Sequence, residues 1–210
     1  MNREKLLHHE KRLYIYGYGE SVESDTYKWL KENLEANVTC VEYSQKTPEE
    51  SVKKLYSLIE PDINIVIASG LGAWYAIYAT MPISLPCILI NPVVDGNFET
   101  TFSGVMEKDV LEKYLSYIKE HSFFEKNIWD GIEDGCRTVV VYSNYDEVVK
   151  HDNKFLSRNF KTIHFLPNGK HKLNSKELKY VADAYKTFTE KTLPQYNKFV
   201  DNPFPQLTDD

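Results

Sequence analysis

The segment Ile65-Val-Ile-Ala-Ser-Gly-Leu-Gly-Ala-Trp-Tyr-Ala76 carries the clearest chemical signal in the sequence. An apolar run suited to a buried strand turns at a string of small residues directly into an apolar run suited to a helix. A turn of this kind, written G-x-S-x-G where it is complete, holds a nucleophile at a strand end. Its neighbours must be tiny because strand and helix pack nearly in contact, and its central residue takes a positive φ. Ser69 brings a hydroxyl to this segment, and Gly70 beside it brings no side chain at all. Two other stretches could move protons: Asp146 within Tyr142-Ser-Asn-Tyr-Asp-Glu147, and His171 after Gly169-Lys170. A carboxylate that orients an imidazole makes a general base. Taken singly, Asp146 also suits a turn or helix cap beside Glu147, and His171 suits a solvated loop between Lys170 and Lys172.

Other site chemistries find little support. Cys40, Cys87 and Cys136 include no CxxC pair, and each lies in or beside an apolar run, as reduced, buried thiols do. His8 and His9 are adjacent, and the remaining histidines lack metal-ligand spacing, so neither a metal nor a cofactor is expected. Gly17-Tyr-Gly19 lacks the third glycine of a dinucleotide loop and the Lys-Ser or Lys-Thr of a phosphate loop.

Two periodicities alternate along the chain and must position these residues. Strands are expected at 12–16, 38–43, 63–68, 87–91, 138–142 and 162–166. Helices are expected at 24–34, with Ser24 or Asp25 as cap, and at 47–59, opened by Thr47-Pro-Glu-Glu50 in a capping-box pattern. Others fall at 71–80, 108–119, 123–132, 152–159 and 176–190. Strands alternating with helices imply a mostly parallel sheet of about six strands covered on both faces. In such sheets ligands bind beyond the carboxyl ends of the strands. That directs attention to residues 16–20, 68–72, 143–147 and 167–172.

Composition sets outer bounds. The 210 residues are 42% hydrophobic, enough for one sizeable core, so residues 1–191 are expected to form one domain. The last residues, 192–210, carry three prolines and end polar, and are read as a tail. With 31 acidic against 25 basic residues and no basic stripe, nucleic-acid binding is not expected. No apolar run approaches a membrane span, and the first ten residues contain no apolar signal core, so a soluble, cytoplasmic protein is expected.

The motifs in order resemble those of small α/β-hydrolases of the YqiA-like esterase family. The resemblance rests on Tyr14-Ile-Tyr-Gly-Tyr-Gly19, Ala68-Ser-Gly-Leu-Gly-Ala-Trp-Tyr-Ala76, Ile90-Asn-Pro92, Tyr142 to Val149 and Gly169-Lys-His171, and spans roughly residues 12–190. It implies a three-layer α/β-hydrolase-like fold with a small helical lid at about 95–135. It also implies Asp146 as the acid of a catalytic triad, His171 as its general base, and the backbone N–H groups of Tyr18 and Leu71 as an oxyanion hole. The nucleophile position falls on Gly70. Ala68 and Tyr16 also depart from the family pattern, Tyr16 with bulk that would narrow the site.

Two functions follow from the resemblance. One is a degenerate or nonclassical hydrolase, a pseudoenzyme that binds an acyl-type small molecule or a partner. The other is an active carboxylic-ester or thioester hydrolase that uses Ser69 or a water activated by His171. A structural interaction protein working through the helical insertion or the tail is the remaining class. Trp74 and Tyr75 are expected to line a core or groove.

Overall fold

The computed structural model describes residues 11–34, 37–59, 63–80, 83, 85–122 and 138–191. Six strands form one sheet in the order β2-β1-β3-β4-β5-β6, and every neighbouring pair is parallel. The strands are β1 (Lys11–Ile15), β2 (Asn37–Cys40), β3 (Ile63–Ser69), β4 (Cys87–Ile90), β5 (Thr138–Ser143) and β6 (Thr162–Leu166). The described helices are α1 (Asp25–Asn33), α2 (Pro48–Leu58), α3 (Leu71–Thr80), α4 (Asp95–Phe102), α5 (Lys108–His121), α6 (Asn153–Asn159) and α7 (Ser175–Lys191). All six expected strands are present, though β2 is shorter than its apolar pattern.

The inner strands are apolar on both faces because helices cover both. β4 is buried at every residue, and every residue of α3 is buried. A helix apolar all round must lie in the interior. α3 packs on β1, β3 and β4, with α2 beside it and α5 against α2; α1 and α7 pack together, α7 lying on β4 and β5. The result is three layers.

Side chains cap the starts of α1, α6 and α7. Ser24 caps α1 by accepting the Tyr27 N–H (3.2 Å), and Asp152 caps α6 by accepting those of Lys154 and Phe155. Asn174 accepts two N–H groups of α7 while Glu177 accepts the Asn174 N–H, a reciprocal pair of bonds. Thr47 precedes Pro48 as expected, but makes no side-chain cap bond, and its buried hydroxyl has no partner among the described residues. There the proline alone starts the helix.

α5 matches the expected helix at 108–119. α4 was not expected, since Gly96, Asn97, Thr100 and Thr101 are weak helix formers. Its start is instead fixed by Asn97, whose side chain accepts the Val94 N–H (2.9 Å). The two helices close over an aromatic knot: Trp74 meets Tyr75, Phe98, Tyr114 and Tyr117 edge-on, and Phe98 stacks on Tyr114. Asp95 accepts hydrogen bonds from Trp74, Tyr78 and Ser122, which lets these polar atoms enter an apolar layer. Trp74 and Tyr75 are therefore core residues rather than groove lining. The helix expected at 123–132, Cys136 and the tail lie outside the described residues. Among the described residues no helix is long and apolar enough to cross a membrane.

The chain leaves β1 toward β2 on one side and continues from β3 toward β6 on the other. The crevice beyond the carboxyl ends of β1 and β3 is thus the topological switch point of the sheet. Gly17 and Gly70 stand there.

Candidate active site

β3 ends at Ser69, α3 begins at Leu71, and Gly70 between them has φ +50°. Its N–H donates to the Ile90 carbonyl (3.0 Å), and its own carbonyl accepts from Val93 and Ala73. Gly72 has a different reason to be glycine. A Cβ there would overlap the carbonyl oxygens of Ile15 and Tyr16, because α3 enters against the end of β1.

Ser69 and Gly70 point to different surroundings. The Ser69 hydroxyl is paired with the buried Tyr14 hydroxyl at 2.8 Å. Burial pushes the Tyr14 phenol well above its ordinary pKa, so Tyr14 stays neutral and cannot serve Ser69 as a base. A Cβ at Gly70, by contrast, would stand 3.5 Å from both Nε2 and Cε1 of His171, and 3.6 Å from the Gly17 Cα. The direction in which residue 70 would project a side chain is therefore the direction of the imidazole.

His171 is fixed from several sides. Its Nδ1 lies 3.0 Å from both carboxylate oxygens of Asp146, and its backbone N–H donates to Glu147 (3.1 Å). Asn91, itself at φ +44°, donates through Nδ2 to the carbonyls of Lys170 and His171 and accepts the Ser143 N–H at Oδ1. It ties the ends of β4 and β5 to the histidine loop. Gly169 is needed there because a Cβ would run into the Ser143 side chain.

The Asp146 side chain is 1% exposed and fully engaged. Oδ1 accepts the N–H groups of Val148 and Val149 (2.8 Å each), and Oδ2 accepts from Nε2 of His151 at 3.0 Å. Burial alone would raise its pKa. The hydrogen bonds from His151, His171 and Val149 outweigh burial and hold the carboxyl well below the usual carboxylate range. The contribution to stability is therefore present above the unfolded value of about 4 and is lost as pH falls toward the lower folded value. Asp146→Asn is expected to cost about 2–4 kcal/mol near neutral pH. It should also flatten the acid limb of the stability curve between about pH 5 and pH 2. Urea unfolding across that range measures both.

On the facing side, residues 17–20 form a loop held by Gln45. Its Oε1 accepts the Gly19 N–H (2.9 Å) and its Nε2 donates to the Gly17 carbonyl (3.0 Å), while Glu20 accepts the Gly17 N–H. The N–H groups of Tyr18 and Leu71 have no acceptor among the described residues. Tyr16 does not narrow this region. It is 4% exposed, packs on the Tyr43 ring and accepts the Tyr43 N–H.

The expected residues Asp146, His171 and Gly70 thus meet at one point, with Tyr18 and Leu71 on the adjoining backbone. Ser69 is turned to Tyr14. Sequence reasoning missed His151, Asn91 as a clamp, and Gln45. Only Asn91 had a signal, in Ile90-Asn-Pro92. Chemically, the imidazole can give or take a proton at Nε2, and residue 70 offers no oxygen to receive it. Cys87 and Cys40 are both pushed up to about 12 by burial, so neither supplies a thiolate. Among the described residues no cluster of three or more His, Cys, Asp or Glu is placed to hold a metal.

Residues 11–175 match the family described as Uncharacterised protein family (UPF0227). No curated protein matches the sequence. Est1E from Butyrivibrio proteoclasticus superposes with a TM-score of 0.65 at 13% identity, covering 90% of each chain. MGS-MChE2, an α/β hydrolase enzyme from a sediment metagenome of the Mar Chica lagoon, Morocco, gives 0.62 at 15% identity over 87% of this chain and 91% of its own. Alpha/beta hydrolase domain-containing protein 10 from mouse gives 0.60 at 13% identity over 86% and 90%. The fold is that of the α/β hydrolases.

Proposed function

We propose, from the premise that this chain belongs to the uncharacterised family UPF0227, that it is a nonclassical α/β-hydrolase-fold protein which binds an acyl-type small molecule without ordinary esterase turnover. One observation carries this reading: Gly70 faces Nε2 of a histidine that Asp146 holds in place. In this reading Asp146 and His171 are what remains of a triad, and the N–H groups of Tyr18 and Leu71 are the oxyanion donors. The protein acts in the cytoplasm, on a small molecule rather than a nucleic acid or membrane.

Removing a triad nucleophile costs about 10⁶-fold in kcat and leaves roughly 10³–10⁴ over water from the remaining groups. Hydrolysis of p-nitrophenyl acetate or a short acyl thioester should accordingly fall far below about 10 s⁻¹. Turnover near that value would overturn the reading. A second reading, slow hydrolysis by a water activated at His171, takes Nε2 as the base, since residue 70 places no side chain against it. It predicts that His171→Ala removes whatever rate is present. The form of that reading in which Ser69 attacks predicts the same loss in Ser69→Ala, but the bond to Tyr14 stands against it.

A further inference from the structure

We infer that the ligand of this site is a free carboxylate, R–COO⁻, rather than the ester of the same acid. The inference rests on the reading of Gly70, His171 and the Tyr18 and Leu71 donors given above, and goes on to name the chemical class they accept.

An acyl group on a serine presents a planar O–C–O unit. One oxygen faces the oxyanion donors, and the other is the serine oxygen, bonded to Cβ and facing the histidine. A carboxylate has the same planar unit with no third bond on either oxygen. Glycine at residue 70 removes the Cβ and vacates the place of the second oxygen. The Cβ position so vacated lies 3.5 Å from Nε2 and 3.6 Å from the Gly17 Cα. An oxygen displaced slightly from it toward the ring reaches hydrogen-bond distance, about 2.7–2.9 Å for a charge-assisted pair. The other oxygen then takes the two N–H groups that have no acceptor among the described residues. An ester places an alkyl group where the carboxylate places its second oxygen, and it brings no charge to pair with an imidazolium.

This pairing needs a proton at Nε2, so a bound carboxylate favours the imidazolium form of His171. The charges around the ring come from three loops. Asp146 and Glu147 face it from the β5–α6 loop, Glu20 lies on the β1 loop, and the exposed Lys170 and Lys172 flank it on its own loop. Hydrogen bonds hold Asp146 and Glu147 below the usual carboxylate range, so both stay ionised near neutral pH. Tyr14 stays neutral. His151 is the other imidazole, on the far side of Asp146, and a His171 variant separates the two.

The test compares acetate, butyrate, octanoate and benzoate with their methyl esters, by calorimetry and ligand-observed NMR on the full chain at about pH 6 and pH 8. Acids should bind at least tenfold tighter than their esters at the lower pH. Their affinity should fall by up to about tenfold per unit on raising pH, with a proton taken up on binding. His171→Gln, shown folded by circular dichroism, should remove the pH dependence and weaken acid binding about tenfold or more. Equal, pH-independent binding of acids and esters would overturn the inference, as would failure of all four acids to bind at roughly 10 mM. Hydrolysis gained by Gly70→Ser distinguishes the two claims. If it appears while the acids fail, only the carboxylate is wrong; if it does not appear, the reading of the site is wrong as well.

Discussion

Gly70→Ser is expected to raise p-nitrophenyl acetate hydrolysis by about 10³-fold or more over the natural chain. The full effect of a triad nucleophile is near 10⁶-fold, and an untuned serine should recover a substantial part of it. The geometry is favourable. The new Cβ would meet His171 and Gly17 at 3.5–3.6 Å, ordinary van der Waals contact. From that point an Oγ can turn into hydrogen-bond reach of Nε2. Positive φ is the cost, since a non-glycine residue at φ +50° loses roughly 1–2 kcal/mol. The variant should thus be slightly less stable and far more active, and adding His171→Ala should return it to baseline. A folded Gly70→Ser protein with no gain would mean that Asp146 and His171 are not poised to serve residue 70.

Gly72→Ala is expected to have the largest effect on stability, about 4 kcal/mol or more, a large share of a typical total of 5–15 kcal/mol. The added methyl would meet two backbone carbonyls, of Ile15 and Tyr16, which no rotamer change can move aside. Relief requires α3 to lift from β1, and with it the buried layer around Trp74 and Tyr75. Gly96→Ala is the control. Its methyl would only touch the Phe155 ring at 3.8 Å, on an exposed helix position, so the change should stay within about 1 kcal/mol. Urea midpoints compare the two. A Gly72→Ala loss under about 1 kcal/mol would contradict the close approach of α3 to β1.

The sequence made the sheet legible because its inner strands are continuous apolar runs between turn residues. The elbow was legible for a related reason: the close packing that demands Gly72 goes with small residues at 68, 69, 70 and 72. The family resemblance assigns Asp146 and His171 as acid and base, and each also follows a strand by a few residues, at the end where such sheets bind ligands. Contacts between distant segments left no periodic trace. Gln45 reaches back to Gly17 and His151 turns back onto Asp146, each from a polar stretch that looks like any other loop, while the Ile90-Asn-Pro92 signal marks Asn91 without naming Lys170 as its partner. Side-chain direction was equally hidden. Tyr16 could have faced the site or the helix layer, and the neighbouring Tyr43 decides for the layer. α4 was missed because a tertiary contact at Phe98 and the Asn97 cap outweigh poor local propensity.

The central claim is that the machinery for proton transfer faces a residue with no nucleophile, while the adjacent serine is committed elsewhere. Mass spectrometry of the intact protein after exposure to a fluorophosphonate, which reacts with activated serines, tests it most directly. The natural chain should carry no adduct, and Gly70→Ser should carry one, on residue 70. A stoichiometric adduct on the natural chain, mapped to Ser69, would contradict the account.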